Sequence, residues 1–121
     1  MSGAAKWLSA RLRSFGYAVA GLGFMVRTQG NAQVHLAATL AAAALGIWLR
    51  VGRADWLWLI AAMALVWMAE ALNTALEHLC DVASPGQHEG VRRAKDMAAG
   101  AVLIAAIAAA VIGLAVFVPY L

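Results

Sequence analysis

The run Trp56-Leu-Trp-Leu-Ile-Ala-Ala-Met-Ala-Leu-Val-Trp-Met-Ala-Glu70-Ala-Leu-Asn73-Thr74-Ala-Leu-Glu77-His-Leu79 is long and apolar enough to cross a bilayer, yet it carries two acids. With Asp81 just beyond it, Glu70, Asn73, Thr74, Glu77 and Asp81 recur at helical spacing. At about 100° per residue they share one face of a helix. An ionised carboxylate inside hydrocarbon costs about 3 kcal/mol or more, so such a group faces a site, a partner or water. The stripe therefore marks the functional face of a helix that is otherwise dissolved in lipid.

The rest of the 121-residue chain agrees with that solvent. It is 64% hydrophobic and only 12% charged, with a mean hydropathy of +0.80. A soluble domain of this length could not hide so much apolar surface. Three stretches of roughly 20 residues qualify as spans, at about 32–50, 56–79 and 96–118. No room remains for a separate soluble domain, so the fold class is an all-α membrane protein in which any chemistry is built on the spans and their rims.

Orientation follows from the basic residues. Lys6, Arg11, Arg13 and Arg27 precede the first span, Arg50 and Arg53 lie in the first loop, and Arg92, Arg93 and Lys95 in the second. Placing the N-terminus and the second loop in the cytoplasm puts seven of the nine positive charges inside, as the positive-inside rule requires. The C-terminus then faces outward, and Trp48, Trp56 and Trp58 suit the aromatic belt on that side. The net charge of +3 is thus a topology signal rather than a nucleic-acid footprint, because no basic run with interleaved aromatic residues stands clear of the membrane rim.

Before the first span, Lys6, Arg11 and Arg13 sit among Trp7, Leu8, Leu12, Phe15 and Val19. This pattern predicts an amphipathic helix over about 4–28 lying at the cytoplasmic interface. The glycines at 16, 21 and 23 interrupt any signal-peptide core, and no small-x-small cleavage site is evident. They form neither a dinucleotide fingerprint nor a P-loop. Cys80, the single cysteine, excludes an intramolecular disulfide and reads as a small residue near a helix end. His35, His78 and His88 lack the spacing of a zinc site and read as interfacial hydrogen-bonding groups. The alanine-rich runs let helices approach closely, with Gly100, Ala101, Ala105 and Ala109 as a small-residue face. Three thin helices do not readily enclose a polar stripe alone, which points to an oligomer.

Ser84, Pro85 and Gly86 break the chain after Asp81, and a short polar connection leads through His88 and Glu89 to Arg92, Arg93, Lys95 and Asp96. A link this short returns Lys95 and Asp96 to the neighbourhood of Glu77 and Asp81. Glu70 lies about 13 Å deeper than Leu79 along the helix, where no loop charge reaches it.

These residues carry a resemblance. Glu70-Ala-Leu-Asn73-Thr74-Ala-Leu-Glu77 with Asp81, followed by Ala94-Lys95-Asp96-Met97-Ala98-Ala99-Gly100-Ala101-Val102-Leu103, is similar to the signature of the prokaryotic diacylglycerol kinase family, which also contains the undecaprenol kinases. The likeness extends to Gly16-Tyr17, Gly21-Leu22, Asn31, His35 and the three-span layout. It implies a small membrane lipid kinase that moves the γ-phosphate of MgATP to the hydroxyl of a membrane lipid, undecaprenol or diacylglycerol. It also implies a homotrimer in the bacterial cytoplasmic membrane, with active sites shared between subunits. By the same resemblance Glu70 is the catalytic base and Glu77 the Mg²⁺-binding acid. Tyr17, Asn73, His88, Lys95 and Asp96 belong to the substrate and nucleotide site.

Two departures stand out. The family often has a glutamate, a second metal ligand in some members, where this chain has Gln29. An amide oxygen binds Mg²⁺ more weakly than a carboxylate, so the resemblance leaves open one metal or two. Diacylglycerol-type members tend to carry Gly-Ser after Lys-Asp-Met, whereas here Ala98-Ala99-Gly100 follows. With Asn73-Thr74 and the stretch from Asn31 to His35, this looks closer to the undecaprenol kinase branch. The residues alone also admit a small transporter, whose acids would line an ion path, or a membrane scaffold packed through the same small residues. Neither accounts for Lys95-Asp96 beside the acidic stripe.

Overall fold

The structure, a computed structural model, describes residues 2–121. Four helices follow one another: α1 over Gly3–Thr28, α2 over Gly30–Leu49, α3 over Arg53–Ala83 and α4 over Glu89–Phe117, with a single 3-10 turn at Val118–Tyr120. Three of them, α2, α3 and the α4 segment, are long and apolar enough to cross a membrane. Helices are the expected answer, because hydrocarbon offers backbone N–H and C=O groups no other partner.

The helices outrun the predicted spans. With 31 residues, α3 is about 46 Å long, against roughly 30 Å of hydrocarbon. Its surplus carries Asp81 beyond the apolar stretch ending at Leu79. Similarly, α4 begins at Glu89, so Arg92, Arg93, Lys95 and Asp96 stand on helix rather than in a loop. The α3–α4 connection shrinks to Ser84–His88. The reason is local: Pro85 and Gly86 stop α3, and His88 caps α4 at once.

The first two helices are nearly continuous. Their break is Gln29, with extended backbone at φ −110° and ψ 118°. The Gln33 side chain donates to the Val26 carbonyl across it at 3.2 Å, pinning the bend. The turn from α2 to α3 relies on Arg50 in the left-handed region, φ 54°. The backbone N–H groups of Arg50 and Val51 close it on Ile47 and Gly46.

Along α3 the buried positions are Leu59, Ala62, Val66, Glu70, Asn73 and Thr74. Spacings of three and four make this one helix face, so the apolar seam and the polar stripe are the same seam at different depths. At the α2–α3 turn Val51, Leu59 and Val116 form a small core with Trp56, Met63, Ile112 and Phe117. Tyr120 donates its hydroxyl to Asp55 and accepts from the Gly52 N–H, tying the chain's last residues to that turn. Trp48 and Trp58 are exposed at this end, whereas Trp56 turns inward onto Gly46.

Two expectations change. Glu70, Asn73 and Thr74 are only 2–5% exposed within one chain, so enclosing the deeper stripe does not require a second copy. Of the small-residue face expected on the last span, Ala105 is buried but Ala101 is exposed. The alanines facing α2 and α3 instead leave a cavity.

Gly46 has a specific packing duty. A Cβ there would sit 2.8 Å from the Trp56 ring, closer than real contacts allow. Gly46→Ala is therefore expected to destabilise the protein by about 1–3 kcal/mol through overpacking, read as a lower midpoint in detergent-based unfolding.

Candidate active site

Glu70 is the most buried large side chain of the described residues. The seam spacing aims it between α3 and α2. There the Thr74 hydroxyl donates to its Oε1 at 3.3 Å, and His35 of α2 brings Nε2 to 3.4 Å from its Oε2. The rotation of α2 that achieves this is set one turn away. Trp67 donates its indole N–H to the Thr39 hydroxyl at 2.9 Å, and that hydroxyl donates to the His35 carbonyl at 2.7 Å. His35 was read from sequence only as an interfacial group. The sole sequence signal for a larger role was its place in the resemblance, since pairing across two helices leaves no spacing to read.

One and two turns toward the α3–α4 connection, Asn73 donates its amide to Glu77 Oε1 at 3.4 Å. The Asn73 carbonyl oxygen is buried without a partner. No group of three or more His, Cys, Asp or Glu side chains converges among the described residues, so a closed, all-protein metal cage is not the design. Mg²⁺ normally uses one or two carboxylates together with water and substrate phosphates. Glu77 with the free Asn73 oxygen fits that open style of site. Gln29, at the α1–α2 break, donates its amide to Thr28 at 3.5 Å.

Farther out, Lys95 donates to Asp81 at 2.7 Å across the connection. That hydrogen bond holds the Asp81 carboxyl below its ordinary value and raises Lys95 in turn. Both groups are solvent-exposed, so the pair is screened and serves position more than stability. With Ser84, His88 and Arg92 they line a cleft of about 640 Å³. Asp96 does not join it through Asp81 or Glu77; its carboxylate accepts from Arg92 at 3.1 Å. His88 proves to be a helix cap, its Nδ1 accepting from the N–H groups of Gly90 and Val91 at 3.0 and 3.4 Å. Tyr17 lies in a separate groove of about 440 Å³, between α1 and α3, with Thr74 and His78.

One chain thus groups Glu70, Asn73, Glu77 and His35 along the seam, and His88 and Lys95 around the outer cleft. Tyr17 and Gln29 stand apart. The combination of a buried acid, a second acid about 10 Å along the helix and a lysine at the rim is then met by the comparisons. The family model of prokaryotic diacylglycerol kinase matches residues 16–117. The chain belongs to the prokaryotic diacylglycerol kinase family. Family members similar to it include the undecaprenol kinase of Bacillus subtilis (strain 168), 35% identical over 90% of this chain and 89% of that one. A diacylglycerol kinase of Synechocystis is 40% identical over 89% of this chain and 62% of its own length. The diacylglycerol kinase of Escherichia coli K12 is 40% identical over 61% of each chain. The chain therefore spans less than two thirds of either diacylglycerol kinase in these matches. Membership makes this membrane protein a phosphotransferase with an alcohol acceptor, which sets the transporter and scaffold readings aside.

The cap at His88 is a structural duty distinct from any substrate contact. His88→Ala is expected to lower stability by about 1 kcal/mol, while His88→Asn, which can cap by its own oxygen, keeps most of it. Thermal unfolding in detergent followed by circular dichroism checks both.

Proposed function

We propose that the protein transfers the γ-phosphate of ATP to the hydroxyl of a membrane lipid, with undecaprenol preferred to diacylglycerol. The observation that carries the reading is the grading of one helix face by depth: Glu70 buried at 2% exposure, Glu77 nearer the rim, and Lys95 across the connection from Asp81. Phosphoryl transfer asks a protein for an aligned nucleophile and positive charge where negative charge collects, with little covalent chemistry.

In this scheme Lys95 leaves Asp81 to meet the nucleotide phosphates in the outer cleft, with His88 and Asp96 beside it and Tyr17 supplied from the α1 groove. Glu77 and Asn73 hold Mg²⁺, with Gln29 as a weaker second position; when bound, the ion supplies positive charge across the phosphates. Glu70 meets the lipid hydroxyl from the membrane side and takes its proton as the alcohol oxygen bonds to the γ-phosphorus. The bond from that phosphorus to the β,γ-bridging oxygen breaks, and ADP leaves. The separation of Tyr17 from the Lys95 cleft within one chain supports a homotrimer with sites completed between subunits. The charge distribution supports a cytoplasmic N-terminus, α1 at the inner face, and residence in the bacterial cytoplasmic membrane. The preference for undecaprenol rests on the extensive match to the Bacillus enzyme and on Ala98-Ala99-Gly100.

In mixed micelles with MgATP, the purified protein is expected to phosphorylate undecaprenol faster than diacylglycerol, measured by transfer of labelled phosphate. Phosphorylation of neither lipid would defeat the reading. Glu70→Gln is expected to reduce turnover at least about a hundredfold, in the range attributed to general-base catalysis, without changing the oligomer seen by size exclusion.

A further inference from the structure

Three buried side-chain atoms lack hydrogen-bond partners: Asn73 Oδ1, Glu70 Oε2 and His35 Nε2. The first belongs with Glu77. The other two approach each other to 3.4 Å without the alignment of a hydrogen bond. Inside a lipid-embedded bundle such unsatisfied groups are costly, and no described residue relieves them.

One hydroxyl group would satisfy both. It can donate its proton to the carboxylate oxygen while accepting from the imidazole Nε2–H. An oxygen about 2.8 Å from each, an ordinary hydrogen-bond length, fits two atoms 3.4 Å apart. The surroundings also say what the hydroxyl is attached to. His35 lies at the wall of a cavity of about 280 Å³ between α2, α3 and α4, whose other lining includes Ala38, Ala62, Val66, Ala106 and Ala109. Thr39 is the one other polar side chain on that wall, and its hydroxyl is already engaged by Trp67 and the His35 carbonyl. The cavity is thus apolar apart from the imidazole, and it offers no free donor for an ester carbonyl.

We propose that His35 is a substrate-binding residue: its Nε2–H holds the acceptor oxygen against Glu70 Oε2, and the first carbons of a single-chain aliphatic alcohol lie in the alanine-lined cavity. This rests on the lipid-kinase reading and names its acceptor class. A diacylglycerol, which carries two ester-linked chains beside its hydroxyl, is the poorer fit because its carbonyls would be buried unpaired.

The test uses the full chain in detergent micelles, with farnesol and dioctanoylglycerol as probes. His35→Leu is expected to lower kcat/KM for farnesol at least about tenfold, as for one lost buried hydrogen bond, with the KM for ATP unchanged. His35→Gln, which retains an N–H donor, is expected to recover most of that loss. Ala109→Leu, which fills the cavity, is expected to raise the KM for farnesol several-fold and that for dioctanoylglycerol less. Wild-type farnesol kinetics in His35→Leu, or an equal change in the KM for ATP, would overturn the assignment. Without nucleotide, a diazirine-bearing fatty alcohol should label residues 35–42 and 59–66, and Ala109→Leu should suppress the labelling. Labelling confined to other segments would also overturn it. Labelling of the cavity with no phosphorylation of any alcohol would defeat the kinase reading while supporting the binding site.

Discussion

A carboxylic acid buried in a lipid-soluble helix bundle is the constraint around which this chain is organised. Glu70 has 2% of its surface exposed and only two polar neighbours, the Thr74 hydroxyl and the His35 imidazole. Water is absent at that depth of a bilayer, so each polar atom must find a protein or ligand partner. The α1–α2 bend and the link from Trp67 to Thr39 bring α2 to α3 where the acid lies. The alanines of α2 and α4 keep the surrounding walls low.

In hydrocarbon, apolar side chains gain little by leaving lipid for one another, so helix association rests on close packing and a few polar links. Both appear here in separate places. Gly46 admits the Trp56 ring at the α2–α3 turn, and Tyr120 ties the chain's last residues to that turn. At the opposite end Lys95 and Asp81 span the connection between α3 and α4. Between these anchored ends the interior carries the polar seam and the cavity. Stability is concentrated at the ends, and the middle is left for chemistry.

Much of the site was legible because its residues lie on one helix at turn spacing. The stripe from Glu70 to Asp81 needed only the period of the helix and the hydrophobicity of its neighbours, and the short connection predicted the return of Lys95. What escaped was contact between elements. Asp96 turned to Arg92 because both stand on the same helical face four residues apart, which the reading of that stretch as loop concealed. His88 serves as a cap because α4 starts earlier than its apolar run. The role of His35 depends on the rotation of α2, which no spacing within α2 encodes.

Sequence by itself therefore determined the solvent, the helical class, the family and the depth order of Glu70, Glu77 and Asp81, since each follows from composition or from periodicity along a single segment. Tertiary structure decided which groups meet. It enclosed Glu70 within one chain, set His35 against it, and opened an apolar cavity beside them. The physical reason is that a helix fixes relations along its own axis, whereas its rotation and distance relative to a neighbour are set by packing contacts contributed from both sides.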